Sequence, residues 1–339
     1  MRKQKYRSCP RSVILISLLI VSAIILAGCD TQTPSPQVPT PTPTPPPAKT
    51  AAPSEPTTAP PTDAPEPAEK PSEPALPAEP QRIEFAASDD KGLVGYYFPA
   101  AVNPAPTVIL MHWARGDQRD WIAIAPWLQN RPDELAATPD WADAIGPDCG
   151  TPFNGPWLDP SWFPPMPDDL SYGVFIFDFR NFCESEAGLS DPSEWTLDAV
   201  ASFETVTELP GVDPARIAAI GASIGADGAP DGCLLHNQDS DTCLGGFSLS
   251  PGNYLQGVHF PPSYTQVVQE LEGQEPPVPV WCLAAENDTT SWKVCNEATG
   301  ALYERYLYNG DAHGMLLIVP EIEPNPLDLI QAFLALVFE

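Results

Sequence analysis

The chain has 339 residues, with 16 Lys and Arg against 45 Asp and Glu and a formal charge of −29. An acid excess of this size repels polyanions, which excludes nucleic acid and anionic membrane surfaces as partners and favours solubility. The length allows one large domain or two modest ones, but the composition is uneven, so the folded part is shorter than the chain.

Residues 1–28 read as an export signal. Arg2, Lys3, Lys5, Arg7 and Arg11 precede an uncharged apolar run from Val13 to Ala27, which is shorter than the ~20 residues of a bilayer span and fits a secretory core. The run ends in Leu26-Ala27-Gly28-Cys29. This resembles a bacterial lipobox, which implies that Cys29 takes a diacylglyceryl group, becomes the mature N-terminus and anchors the chain to the outer face of a membrane. A short uncleaved anchor is the plainer alternative, and either reading places the remainder outside the cytoplasmic membrane. From Cys29 onward, 11 basic residues face 45 acidic ones, a formal charge of −34.

Residues 29–81 form the expected tether. Thr31 to Pro80 contains Pro, Thr, Ala, Ser and Glu in abundance and no aromatic residue, so it cannot bury enough apolar surface to offset the entropy of ordering. At ~3.1 Å per residue, a fully extended polyproline II tether reaches ~150 Å. Six cysteines follow: Cys149, Cys183, Cys233, Cys243, Cys282 and Cys295. In an exported domain they suggest three disulfides. Short loops favour Cys233 with Cys243 and Cys282 with Cys295, leaving Cys149 with Cys183. No Cys-x-x-Cys or His-rich spacing supports a metal site.

The folded domain is expected over 82–339. Ile83 to Ala86 and Leu93 to Phe98 read as a hairpin, and Thr107 to Met111 as a fully buried strand. An insertion, 117–171, separates this strand from the next, Tyr172 to Phe177. Glu194 to Leu209 has helical spacing after Asp191-Pro192-Ser193. Strands follow at Ile217 to Ile220, Gly246 to Leu249, Val278 to Ala284 and Tyr303 to Tyr308, and Pro326 to Phe338 reads as a closing amphipathic helix. Buried strands alternating with helices predict an α/β fold, a mostly parallel eight-stranded sheet covered on both faces, with function at the strands' carboxyl ends.

The organising stretch is Gly221-Ala222-Ser223-Ile224-Gly225, directly after a buried strand. Gly-x-Ser-x-Gly holds a serine on a strained strand-to-helix bend, although alone it also fits a plain Gly-rich turn. An activated serine needs a base, an orienting acid and an oxyanion pocket. Of the four histidines, His313 follows the last strand in Asn309-Gly310-Asp311-Ala312-His313-Gly314, whereas His236 and His259 lie in loops and His112 opens the turn His112-Trp113-Ala114-Arg115-Gly116. His313 is therefore the expected base. Asp288, at the end of the loop after Val280 to Ala285, is the expected acid, with Glu286 as second choice and Asp311 as a turn former.

From residue 82 onward the chain resembles an α/β-hydrolase of the dienelactone-hydrolase-like and bacterial esterase branches. The order Ser223, Asp288, His313 matches the family order, His112 to Gly116 resembles the His-Gly-x-x-Gly oxyanion turn, and Asp178 to Ser185 resembles an Asp-x-Arg-Gly-x-Gly-x-Ser stretch. The resemblance implies oxyanion donors at the N–H groups of Ile224 and Ala114, a small-molecule ester as substrate and no cofactor. Where the family has glycines, this chain has Trp113, which would narrow the pocket or form a hydrophobic wall, and Asn181 and Cys183. Gly228 and Pro230 fall in the helix after Ser223, where Pro costs ~3 kcal/mol, so a kinked or short helix is expected. Trp121, Trp127, Trp141, Trp157 and Trp162 of the insertion read either as a cap over the site or as packing for the insertion. The expected activity is ester cleavage by a serine nucleophile. Peptidase-like or thioesterase chemistry and a non-catalytic surface module are the alternatives.

Overall fold

The computed structural model describes residues 74–138, 140–150 and 155–339. The expected signal, Cys29 and most of the tether lie outside the described residues. Residues 74–81, assigned by composition to the tether, already pack on the domain: Ala78 is buried, its carbonyl accepts from Gln129 Nε2 at 2.7 Å, and the Leu76 carbonyl accepts from Arg131 Nη1 at 2.8 Å. Proline-rich composition hid two apolar anchors there. No helix among the described residues is long and apolar enough to cross a membrane.

Eight strands form one sheet: β1 (Gln81–Ala86), β2 (Gly92–Phe98), β3 (Ala105–Met111), β4 (Gly173–Asp178), β5 (Val212–Ala222), β6 (Cys243–Leu249), β7 (Val280–Ala285) and β8 (Glu304–Tyr308). Their order is β1-β2-β4-β3-β5-β6-β7-β8, antiparallel through the hairpin and the β2/β4 pair and parallel thereafter. Helices α1 (Ile124–Gln129) and α2 (Pro132–Leu135) belong to the insertion, followed by α3 (Glu194–Thr207), α4 (Ile224–His236), α5 (Tyr264–Glu272), α6 (Thr289–Glu297) and α7 (Pro326–Phe338). Alternation along β5 explains the two-faced cover: Ala218, Ile220 and Ala222 join one core with α1 and α7, while Ile217 and Ala219 join the other with α3, α4, α5 and α6.

Register then fixes where function can lie. Met111 pairs with both Phe177 and Gly221, Gly221 with Ser248, Leu249 with Leu283, and Ala285 with Tyr308. The chain therefore leaves β3 through β8 along one carboxyl edge, and distant residues emerge there side by side.

Helix α4 corrects the sequence reading. It runs unbroken from Ile224 to His236 with Pro230 inside and buried. Pro230 cannot donate to the carbonyl of Ala226, but Ser248 Oγ on β6 donates to that oxygen at 2.6 Å, so the group freed by the proline is satisfied by the sheet. A Cβ on Gly246 would lie 3.3 Å from the Pro230 ring, and one on Gly232 would lie 2.9 Å from Phe203. Small residues thus let the helix seat against the sheet and α3. The Cys233–Cys243 disulfide ties its last turn to β6, and Cys282–Cys295 ties β7 to α6.

The insertion is a packing layer for its aromatic residues. Trp121 and Trp157 are fully buried, and Trp127, Trp141 and Trp162 pack half-buried against the α7-side core. The third disulfide, Cys149–Cys183, joins this layer to the loop after β4. In that loop Asn181 and Cys183, where the resemblance implies glycine, adopt φ values of 76° and 34°. Asparagine tolerates this region, and at Cys183 the bond to Cys149 helps hold a conformation that disfavours a side chain.

Two outcomes follow from these contacts. Ser248→Ala leaves the Ala226 carbonyl buried without a partner, which lowers stability by about 1–3 kcal/mol; urea unfolding would show a lower midpoint at unchanged slope, and an unchanged midpoint would refute the compensation. The second concerns pH. Burial pushes the carboxyls of Asp120, Asp178 and Asp227 up to about 7 and that of Asp198 to about 6, and pushes His112 down to about 4. The native acids hold protons that the unfolded chain releases, so their contribution is full below about pH 4 and is lost as pH rises through about 7. His112 acts oppositely, its contribution being present above about 6.5 and lost as pH falls through about 4. Burial also raises the carboxyl of Asp231 and lowers His236, so five acids oppose two histidines and the melting temperature should be higher at pH 5 than at pH 8; a lower melting temperature at pH 5 than at pH 8 would contradict this balance.

Candidate active site

Ser223 stands between β5 and α4, with its own N–H donating to the Leu249 carbonyl at 2.9 Å. Its φ of 53° and ψ of −111° are strained for a residue with a Cβ. The neighbouring glycines make the bend sterically feasible: a Cβ on Gly221 would lie 1.8 Å from the Gly225 carbonyl oxygen, and one on Gly225 would lie 2.3 Å from that of Met111. Both collisions are with backbone and cannot be relieved by a rotamer change.

His313 follows β8 and is fixed from two sides. Gly314 N–H donates to Ser250 Oγ at 3.0 Å, and a Cβ on Gly314 would come within 2.9 Å of the Trp113 ring. The next residues, Met315, Leu317 and Ile318, are buried in the α7-side core. The loop carrying Asp288 is tied to the histidine loop by Asn287 N–H to the Gly310 carbonyl and Glu286 N–H to the Tyr308 carbonyl, each 2.8 Å.

These supports bring three side chains together. His313 Nε2 lies 2.8 Å from Ser223 Oγ, and His313 Nδ1 lies 2.7 Å from Asp288 Oδ2. Burial is the largest single influence on the Asp288 carboxyl and raises it, but the hydrogen bond and charge of His313 together with the Ser291 side chain and main chain outweigh burial and hold the group below the usual carboxylate range. An ionised Asp288 only accepts, so Nδ1 carries the imidazole proton and Nε2 is left to accept from the serine hydroxyl. Glu286 and Asp311 are exposed. The acid nearest to His313 in sequence is thus not the one that meets it.

Ile224 is the first residue of α4, so its N–H has no intrahelical partner. Ala114 lies in the turn after β3, and the Met111–Gly221 register places that turn beside the serine bend. Trp113 departs from expectation: it is fully buried, edge-on to Trp157 at 5.6 Å, and supports Gly314 from beneath rather than walling a pocket. His112 is structural, with Nδ1 against the Trp113 carbonyl at 2.8 Å and Nε2 accepting from Phe179 N–H at 3.1 Å. His236 contacts Thr242 Oγ1 at 2.7 Å and stacks on Phe203.

Three further residues belong to the site and escaped the sequence reading. Tyr254 faces the His313 ring edge-on at 6.1 Å. Asp227, one turn into α4 and buried, accepts the N–H groups of Gly252 and Tyr254 and so positions the loop that carries that tyrosine. Ser250 takes a φ of 63° to reach Gly314. An acid four residues after the serine, inside a helix of small apolar residues, was the available signal for Asp227. Among the described residues, Cys149, Asp178 and Cys183 have donor atoms within 4.8 Å of one another, but both sulfurs are committed to the disulfide.

No protein-family model matches the chain, and a search of curated proteins finds no match. Solved structures do match. A 2,6-dihydroxy-pseudo-oxynicotine hydrolase aligns at 12% identity and a TM-score of 0.50, over 77% of this chain and 69% of that one. An esterase of Pyrococcus furiosus aligns at 16% identity and a TM-score of 0.42, over 76% and 91% of the two chains. A dienelactone hydrolase of Anabaena variabilis aligns at 12% identity and a TM-score of 0.44, over 77% and 97%. Likeness at such identities concerns architecture alone, and together with the strand order described above it establishes that the chain has the α/β-hydrolase fold.

Proposed function

We propose that the chain is a serine hydrolase that cleaves carboxylic esters through an acyl-enzyme. The observation that carries this reading is the unbroken line of hydrogen bonds from Ser223 through His313 to Asp288. Ser223 Oγ attacks the ester carbonyl as His313 Nε2 takes its proton. Asp288 holds the ring in the required tautomer and stabilises the imidazolium that forms. The N–H groups of Ile224 and Ala114 would receive the oxyanion, and the N-terminus of α4 favours the developing negative charge. His313 then returns the proton to the departing alcohol. In the second half, water gives its proton to His313, attacks the acyl group and releases the acid.

The triad permits other acyl transfers, so the choice of esters rests on the resemblance of the His112 to Gly116 and Asp178 to Ser185 stretches to esterase motifs. We further propose that this chemistry takes place outside the cytoplasmic membrane, on a chain anchored through Cys29. The signal pattern and six paired cysteines support that location.

Ser223→Ala and His313→Ala should abolish labelling by a fluorophosphonate and turnover of p-nitrophenyl esters, whereas Asp288→Asn should lower kcat by about 10³–10⁴-fold and Glu286→Gln should leave it within about twofold, as for an exposed bystander. Labelling that survives Ser223→Ala would refute the reading. Turnover of peptides or thioesters in preference to esters would keep the triad but change the substrate class. Cys29→Ser should move the protein from the membrane fraction to the soluble fraction, and retention in the membrane would favour an uncleaved anchor.

A further inference from the structure

The three disulfides of the described residues differ in how they meet solvent. Cys233, Cys243, Cys282 and Cys295 are fully buried, whereas Cys183 is exposed and its partner Cys149 is half-buried. The accessible bond joins two segments, and each of them is anchored on the turn that carries Ala114. On the insertion side, Arg119 Nη2 donates to the Cys149 carbonyl at 2.6 Å, and the same guanidinium pairs at 2.6 Å with Asp117, the residue after Gly116. On the other side, Phe182 packs edge-on against the His112 ring at 4.7 Å, and His112 Nδ1 lies 2.8 Å from the Trp113 carbonyl. The Cys149–Cys183 bond thus closes a ring of contacts around residues 112–117.

Two features make this bond the one that responds to a reductant. Thiol–disulfide exchange requires an attacking thiolate to reach a sulfur, so access orders the three pairs, and a buried pair reacts only after the structure around it opens. The backbone at Cys183 points the same way. Its φ of 34° lies where a side chain is disfavoured, so breaking the bond lets the loop relax towards ordinary conformations. One other tie between loop and turn does not pass through the bond: the Asp178 carboxyl accepts from the Gln118 N–H at 2.9 Å and from the Glu184 N–H at 3.2 Å. Opening the disulfide therefore loosens the turn without detaching the loop.

We propose that Cys149–Cys183 is a site of reversible thiol–disulfide exchange with an external dithiol, and that its state sets the position of the Ala114 N–H that receives the oxyanion. The effect on turnover rests on the acyl-transfer reading of Ser223, His313 and Asp288, whereas the exchange site itself does not. A thiolate of the dithiol attacks the sulfur of the exposed Cys183, the S–S bond breaks, and the Cys149 sulfur departs as a thiolate. The second thiol of the reagent loses its proton, attacks the reagent's own sulfur in the mixed disulfide and expels the Cys183 sulfur. Two electrons pass to the protein, the dithiol leaves as its own disulfide, and its two protons end on the cysteines. The sheet and the two buried disulfides are untouched, so ground-state binding holds and the loss falls on kcat.

The test treats the full chain with graded dithiothreitol in the absence of denaturant. Free thiols are alkylated and mapped by mass spectrometry, and the same samples are assayed with a p-nitrophenyl ester for kcat and KM, with fluorophosphonate labelling and unfolding midpoints measured alongside. Cys149 and Cys183 should be alkylated first, with Cys233, Cys243, Cys282 and Cys295 protected. Over that range kcat should fall about tenfold, short of the about 10²–10³ lost with a whole oxyanion donor, while KM stays within about twofold, and reoxidation should restore it. Cys149→Ser combined with Cys183→Ser should show the lowered kcat from the outset and ignore the dithiol. Alkylation of a buried pair before or together with Cys149 and Cys183, wild-type kcat in protein reduced only at those two, or a loss confined to KM would overturn the proposal. Should the serine variant fail to fold, the reduced wild-type chain carries the same comparison. If the untreated chain neither turns over esters nor takes the label, the triad reading fails and the effect on turnover falls with it, while the alkylation map still upholds or refutes the exchange site.

Discussion

Everything at the carboxyl edge depends on a contact of backbone with backbone. Helix α4 approaches β5 and β3 so closely that no Cβ fits at Gly221 or Gly225, and this proximity forces Ser223 into a strained conformation with its hydroxyl towards His313. The strain is held by what lies further along: the proline at 230 packs on Gly246, Ser248 takes over the hydrogen bond that proline forfeits, and a disulfide closes the far end. A helix that would be weak in isolation becomes rigid because the sheet supplies its missing partners.

Much of this was legible in the sequence, and the illegible parts share a cause. Strand runs such as Thr107 to Met111 announce themselves by continuous burial, and the order Ser223, Asp288, His313 can be read because each follows a strand. Pro230 could not be read correctly, since its rescue comes from Ser248 on the next strand, and a propensity contains no tertiary partner. Trp113 was misjudged for the same reason. The motif located the turn, but the direction of the indole was decided by Trp157 and Gly314. The domain begins earlier than composition suggests because Leu76 and Ala78 are secured by the carbonyl-seeking side chains of Gln129 and Arg131.

The acidity of the chain has an interior as well as a surface. Arg180 is almost fully buried and balances Asp89, Asp198 and Glu194, joining the β1–β2 turn to α3. Asp178 collects the Gln118 main-chain and side-chain N–H groups and the Glu184 N–H, and so joins the insertion to the loop after β4. These carboxyls hold the edge loops by accepting hydrogen bonds rather than by bringing charge to a substrate. The same logic links Asp227 to the Tyr254 loop.

The most direct examination of the central claim is a crystal structure of the chain after reaction with a fluorophosphonate. The account predicts phosphorus bonded to Ser223 Oγ, the phosphoryl oxygen within hydrogen-bond distance of the Ile224 and Ala114 N–H groups, and His313 still between Ser223 and Asp288. An adduct on another residue, or a phosphoryl oxygen turned away from both N–H groups, would contradict it.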